Sequence, residues 1–94
     1  MRLSFRAVGP ELILGCIKGN RNSQKKLYSL LSPIIYTKLL EELNSKKESE
    51  IILQKIFVKV FTSIESYDRQ ILFEDWFMTI YNAVVLTTLN HKRS

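Results

Sequence analysis

The sequence has one cysteine and one histidine. A lone cysteine rules out a disulfide within the chain and any cysteine-based zinc cluster. With a single histidine beside it, no multi-ligand soft-metal site can be assembled from these residues alone. Glycine and proline are also scarce, at three and two residues. That scarcity, with 46% apolar residues, excludes a disordered or low-complexity chain. No uninterrupted apolar run approaches the roughly 18 residues of a membrane span. A glycine-rich phosphate loop is absent, as are paired carboxylates in an apolar setting and a Cys/His pair at useful spacing. His91 lies in a polar tail beside Lys92 and Arg93. The reading is therefore a binding module, not an enzyme, with no cofactor.

What is present fits one domain of 94 residues with a modest core. The net charge is +5, from 14 Lys/Arg and 9 Asp/Glu. Residues 1–59 hold 11 bases and 5 acids, a net of +6, and residues 60–94 hold 3 and 4, a net of −1. The basic character thus lies in the first two-thirds, which argues against a simple basic C-terminal nucleic-acid surface. Near the start, Ile13-Leu14-Gly15-Cys16 has the shape of a lipoprotein cleavage box, preceded by Arg2 and Arg6. Pro10 and Glu11 interrupt the apolar segment such a signal requires. Cys16 is expected instead to be a small buried residue on a first helix.

Helical periodicity runs through most of the chain. Met1 to Val8 is a basic lead without a period. Gly9-Pro10 opens a helix, because proline at its first position gives up only an unpaired N–H. Gly19-Asn20 closes it, glycine supplying a left-handed residue, and Asn20 or Asn22 can cap the next helix. The second helix is predicted from about Arg21 to Leu43, with apolar positions from Leu27 to Leu43. Pro33 falls inside it, removes the hydrogen bond to the Ser29 carbonyl, and predicts a kink there. Ser45 with Glu48 three residues on is a capping box for a third helix reaching Ile64 or Ser66. A fourth is predicted from about Leu72 to Leu89, with Phe73, Trp76, Phe77, Ile80, Val84 and Leu89 facing inward. The expected fold is all-α, a compact bundle of four helices with the second kinked at Pro33.

The stretch Glu48–Trp76 organises this bundle. Ile52, Ile56, Phe57, Val60, Phe61 and Ile64 share one face of the third helix. Glu50, Gln54, Lys55, Lys59 and Ser63 form the opposite, polar face. A connector from Glu65 to Gln70 carries Tyr67, Asp68 and Arg69 before the aromatic helix. Ile52, Ile56, Phe57, Phe61, Phe73, Trp76 and Ile80 read as core. Tyr67 reads either as a stacking platform or as a loop residue folded onto the bundle.

Four pieces of the sequence, in order, resemble a known family. They are Glu11-Leu12-Ile13 with Lys18-Gly19-Asn20, Leu27-Tyr28 with Ser32-Pro33-Ile34-Ile35-Tyr36, Glu50 to Phe61 (EIILQKIFVKVF), and Phe73-x-x-Trp76-Phe77-x-x-Ile80. Together they resemble the region-two domain of bacterial RNA polymerase sigma factors of the extracytoplasmic-function type, over residues 11–93. The resemblance implies a cytoplasmic transcription-initiation domain spanning residues 1–94. It implies that Glu50, Gln54, Lys55 and Lys59 dock on the clamp helices of the polymerase beta-prime subunit. It further implies that Tyr67, Arg69, Gln70, Thr79 and Asn82, with Lys92 and Arg93, contact the promoter −10 element, where a base is captured from the non-template strand. Such capture needs polar groups for the base edge and a surface for stacking.

The departures shape the expectation as much as the matches. Lys55 stands where the family usually has an acid. Glu74 and Asp75 follow Phe73, where basic or neutral residues are common, and Thr79, Asn82, Ala83 and Thr87 replace frequent Arg, Asn and Asp. The DNA-facing segment is net acidic until Lys92 and Arg93, so the domain alone is expected to bind promoter DNA weakly. The family's C-terminal helix-turn-helix has no counterpart here, which implies a domain cut from a longer chain or a short protein with a separate partner. Three readings follow. One is a sigma-like domain that binds core polymerase and contacts or melts the −10 element. Another is a divergent interaction module, half of a split factor or a binder of an anti-sigma protein, without promoter contact. A plain four-helix bundle with an accidental resemblance is the third.

Overall fold

Asn20 and Ser45 show how the sequence sets the element boundaries. The Asn20 side chain accepts a hydrogen bond from the Ser23 N–H at 3.1 Å and so caps the helix that begins at Arg21. Ser45 Oγ accepts from the Glu48 N–H at 3.2 Å and caps the next. The computed structural model describes residues 5–93, with side chains to residue 90. Within them the helices are α1 (Pro10–Ile17), α2 (Arg21–Leu43), α3 (Lys46–Ser63) and α4 (Phe73–Arg93), with a 3-10 turn at Ile64–Ser66. The fold is an all-α bundle.

Each junction has a local cause. Pro10 sits in the first turn of α1, as its missing N–H requires. Gly19, at φ 80°, turns the chain out of α1 in a conformation that costs glycine little. Asn44 does the same at φ 54° after α2, and its N–H bonds the Leu40 carbonyl at 2.9 Å. Pro33 lies within α2 without ending it. The Thr37 hydroxyl donates to the Pro33 carbonyl at 2.9 Å in the turn that follows.

The helices pack in chain order, α1 on α2, α2 on α3 and α3 on α4. The core is built from Cys16 of α1, Leu27, Leu31, Ile35 and Leu39 of α2, Ile52, Ile56, Phe57 and Val60 of α3, and Phe73, Phe77 and Tyr81 of α4. Cys16 is buried as the sequence predicted, and burial pushes its thiol pKa up. Gly15 permits close packing of α1 on α2, since a Cβ there would lie 2.1 Å from Ser23 Oγ and 2.8 Å from Ser23 Cβ. Phe5 also joins the core. Its ring sits 5.3 Å from Phe77 and 6.2 Å from Phe73, so part of the aperiodic lead is anchored.

α4 is fixed at two points. Phe77 meets Phe57 of α3 edge to face at 5.6 Å. Four residues on, the buried Tyr81 donates its hydroxyl to Glu42 Oε1 at the C-terminal end of α2. Lys38 bonds the other oxygen of Glu42 at 2.9 Å and lies 5.5 Å from the Tyr81 ring centroid. Burial opposes ionisation of Glu42, but the hydrogen bonds from Tyr81 and Lys38 and the charge of Lys38 outweigh it and hold the carboxyl below its ordinary range. Burial first, and then Glu42, push the Tyr81 phenol far above its own, so it stays protonated as a donor.

Candidate partner-docking groove between α3 and α4

α3 is apolar on two sides. Ile52, Ile56 and Val60 point into the bundle and are at most 1% exposed. On the other side, Ile51, Lys55, Val58 and Thr62 recur at spacings of four, three and four residues and are all exposed. Ile51 is 44% and Val58 63% exposed. The pattern of Glu50, Gln54, Lys55, Lys59 and Ser63 predicts a polar face here. Ile51 and Val58 correct that, and their 4-3-4 spacing with Lys55 and Thr62 was the available signal.

The outer side of α3 forms one wall of an open groove of about 870 Å³. α4 forms the other wall, from Thr79 to Thr88. Among the described residues, Lys55 and Lys59 are the charged ones of the lining, and no acid belongs to it. Neither lysine is paired with a carboxylate among the described residues. The groove therefore has an apolar floor and a positive margin along α3.

The residues expected to meet polymerase and those expected to meet DNA are not segregated. Gln54, Lys55 and Lys59 line the groove from α3, and Thr79 lines it from α4. Glu50 is exposed on α3 outside the lining, and Asn82 is exposed on α4 outside it. Tyr67, Arg69 and Gln70 sit in the connector before α4, away from the groove. The side chains of Lys92 and Arg93 lie outside the described residues.

The connector is organised by Asp68 and Tyr67. Asp68 Oδ1 accepts from the Gln70 N–H at 2.9 Å, and the Asp68 carbonyl accepts from the Ile71 N–H at 2.9 Å. The Tyr67 hydroxyl donates to the Ile71 carbonyl and spans the turn. Its half-buried ring stands 5.6 Å from Phe73, edge on, and 5.1 Å from Trp76. Of the two readings of Tyr67, the one seen is the residue folded onto the bundle. Burial raises its pKa, Asp68 raises it further, and Arg69 opposes both, so the phenol is neutral at ordinary pH. Arg69 and Gln70 are exposed.

The solvent face of α4 is a poor match to phosphates. Asp75, Thr79, Asn82 and Leu86 adjoin there, at spacings of four, three and four. Thr79 Oγ1 donates back to the Asp75 carbonyl at 2.9 Å. Leu86 is 61% exposed, and the helix shows no base through Asn90.

The Tyr81–Glu42 contact has no signature in the sequence. Tyr81 follows Ile80 in the inward period of α4, and Lys38 to Glu42 is an i, i+4 ion pair, but nothing local links residues 39 positions apart. That contact positions the α4 wall. Among the described residues no cluster of His, Cys, Asp or Glu is arranged to hold a metal. No helix there is long and apolar enough to cross a membrane. Comparison with protein-family models, curated proteins and solved structures finds no match to this chain.

Proposed function

We propose that this chain is a sigma-region-two-like module that docks on core RNA polymerase through the exposed side of α3. The observation that carries the reading is that α3 is covered on one side only. Its open side places Gln54, Lys55 and Lys59 beside exposed Ile51 and Val58, with Glu50 on the flank. Apolar area supplies association free energy, and the polar groups fix register. The four sigma-like sequence pieces, in order over residues 11–93, support core polymerase as the partner. The beta-prime clamp helices then lie along α3, and the chain works in the cytoplasm without chemistry of its own. The test is retention of purified core RNA polymerase on the immobilised chain. Retention weakened about tenfold by Gln54→Ala is expected for a well-placed interfacial group. Absence of retention removes the polymerase reading, and unchanged affinity in Gln54→Ala moves the contact off this side of α3.

A second reading, an interaction module without promoter contact, is favoured by the connector and α4. Tyr67 spends its hydroxyl on Ile71 and its ring on Phe73 and Trp76, and the adjoining α4 face carries Asp75 and Leu86. A single-stranded −10 oligonucleotide titrated at low salt separates the readings. Binding that is lost in Tyr67→Ala supports promoter contact, and no binding supports the module that lacks it.

A further inference from the structure

The groove between α3 and α4 constrains what can fill it, whatever the standing of the polymerase reading. Its α3 wall runs from Ile51 to Thr62, which at 1.5 Å per residue is about 16 Å, or three helical turns. The 4-3-4 recurrence of Ile51, Lys55, Val58 and Thr62 is the spacing that keeps one helix in register with another laid alongside it. On the α4 wall, Ala83, Val84 and Thr87 are small or β-branched, so an incoming helix can approach closely. The volume and open top suit a row of side chains from such a helix, not an enclosed small molecule.

The charges select among helices. Lys55 and Lys59 lie on one margin and no acid among the described residues lines the groove. Asp75 precedes the lining stretch of α4 by about a turn, and Glu48 borders a small hollow that adjoins the groove at Ile51 and Thr88, at the end away from Lys59. A second copy related by a two-fold axis would bring Lys55 and Lys59 of one chain toward the same residues of the other, an arrangement of like charges. Nucleic acid would gain two phosphate contacts while covering exposed Val58 and Ile51 with nothing apolar.

We infer that the α3–α4 groove is a docking site for an amphipathic helix of a partner protein, about three to four turns long, with an apolar stripe flanked by Asp or Glu. The stripe covers Ile51, Val58 and Ala83, and the acids pair with Lys55 and Lys59. The inference rests on the groove and not on the identity of the partner as polymerase.

The probe is a pair of synthetic helical peptides of about 15 residues, with leucines at 4-3 spacing and either Glu or Lys flanks. Each is titrated into the isotope-labelled full chain and followed by amide chemical shifts. The Glu peptide is expected to shift Val58, Ala83 and Thr87 and to bind about tenfold tighter than the Lys peptide. Lys55→Glu with Lys59→Glu reverses that preference. Val58→Asp abolishes binding while circular dichroism and melting stay as in the parent, since Val58 is 63% exposed. Ala83→Glu, on the other wall, does the same. Equal affinity of the two peptides, or shifts confined to other surfaces, overturns the inference. So does concentration-dependent self-association that Val58→Asp removes, because the groove is then filled by a second copy. Failure of polymerase retention with an intact peptide response rejects the polymerase reading alone.

Discussion

The two sides of α3 carry similar residues and meet different fates. Ile52, Ile56 and Val60 face α2 and the core and are fully buried. Ile51 and Val58 recur at helical spacing too, and stay open to solvent. The difference is not in the residues but in what stands opposite. α2 and the core cover the inner side, and α4, which packs on α3 through Phe77 and Phe57, borders the outer side without closing the groove. An apolar stripe on a helix thus reports a need for cover, and the rest of the fold decides whether the chain or a partner supplies it.

Substitution can break or sharpen this contrast. On the inner side, Ile56→Ala removes a residue that is 0% exposed and is expected to cost about 2–5 kcal/mol in denaturant unfolding. On the outer side, Val58→Ala is expected to stay within about 0.5 kcal/mol of the parent. Equal costs would show that the outer side is part of the core. Tyr81→Phe tests the contact that holds the α4 wall. Glu42 is 41% exposed at its side chain, so the loss is expected near the lower end for a bond to a charged group, about 1.5 kcal/mol.

Ser49 sharpens the contrast from the other direction. It is 0% exposed on the inner side, and its hydroxyl has no hydrogen-bond partner among the described residues. Ser49→Ala removes a stranded polar group and improves helix propensity, so stability is expected to rise by about 1 kcal/mol in the same assay. The smallest effect is in pH. Because the Glu42 pKa is lowered in the folded chain from 4.5, its contribution is present above that value and is lost as pH falls through the depressed one. Melting followed between about pH 6 and pH 3 should therefore show a shallower decline for Glu42→Gln than for the parent.

The sequence yields the helices because their signals are local. Asn20, Ser45, Pro10 and Gly19 each act within one turn, and α2 runs from Arg21 to Leu43 as its caps predict. The burial of Cys16 and of the Ile52–Ile56–Val60 stripe follows from periodicity. α3 stops at Ser63, where a 3-10 turn takes over, and α4 starts at Phe73 and runs to Arg93, beyond the predicted Leu89. The candidate site is less legible. Whether Val58 is covered depends on where α4 lies, and α4 is placed by Tyr81 on Glu42 and by Phe5 and Phe57 against Phe77. Those pairings join residues far apart in sequence, and no local pattern announces them. Tyr67 was open for the same reason, since its partner Trp76 is set by the turn that Asp68 builds.

Asn44 has a kinetic consequence. Its left-handed turn and the Ser45 cap join α2 to α3 through two residues, so residues 21–63 close into a helical hairpin at small loop-closure cost. That hairpin holds nine of the fifteen apolar residues buried among those described. The two-residue link favours early closure of α2 on α3, and Tyr81→Phe, which removes a contact spanning 39 residues, is expected to raise the unfolding rate more than it lowers the folding rate in stopped-flow measurements. On that expectation, a helix bound across the groove slows unfolding by holding α4 against α3.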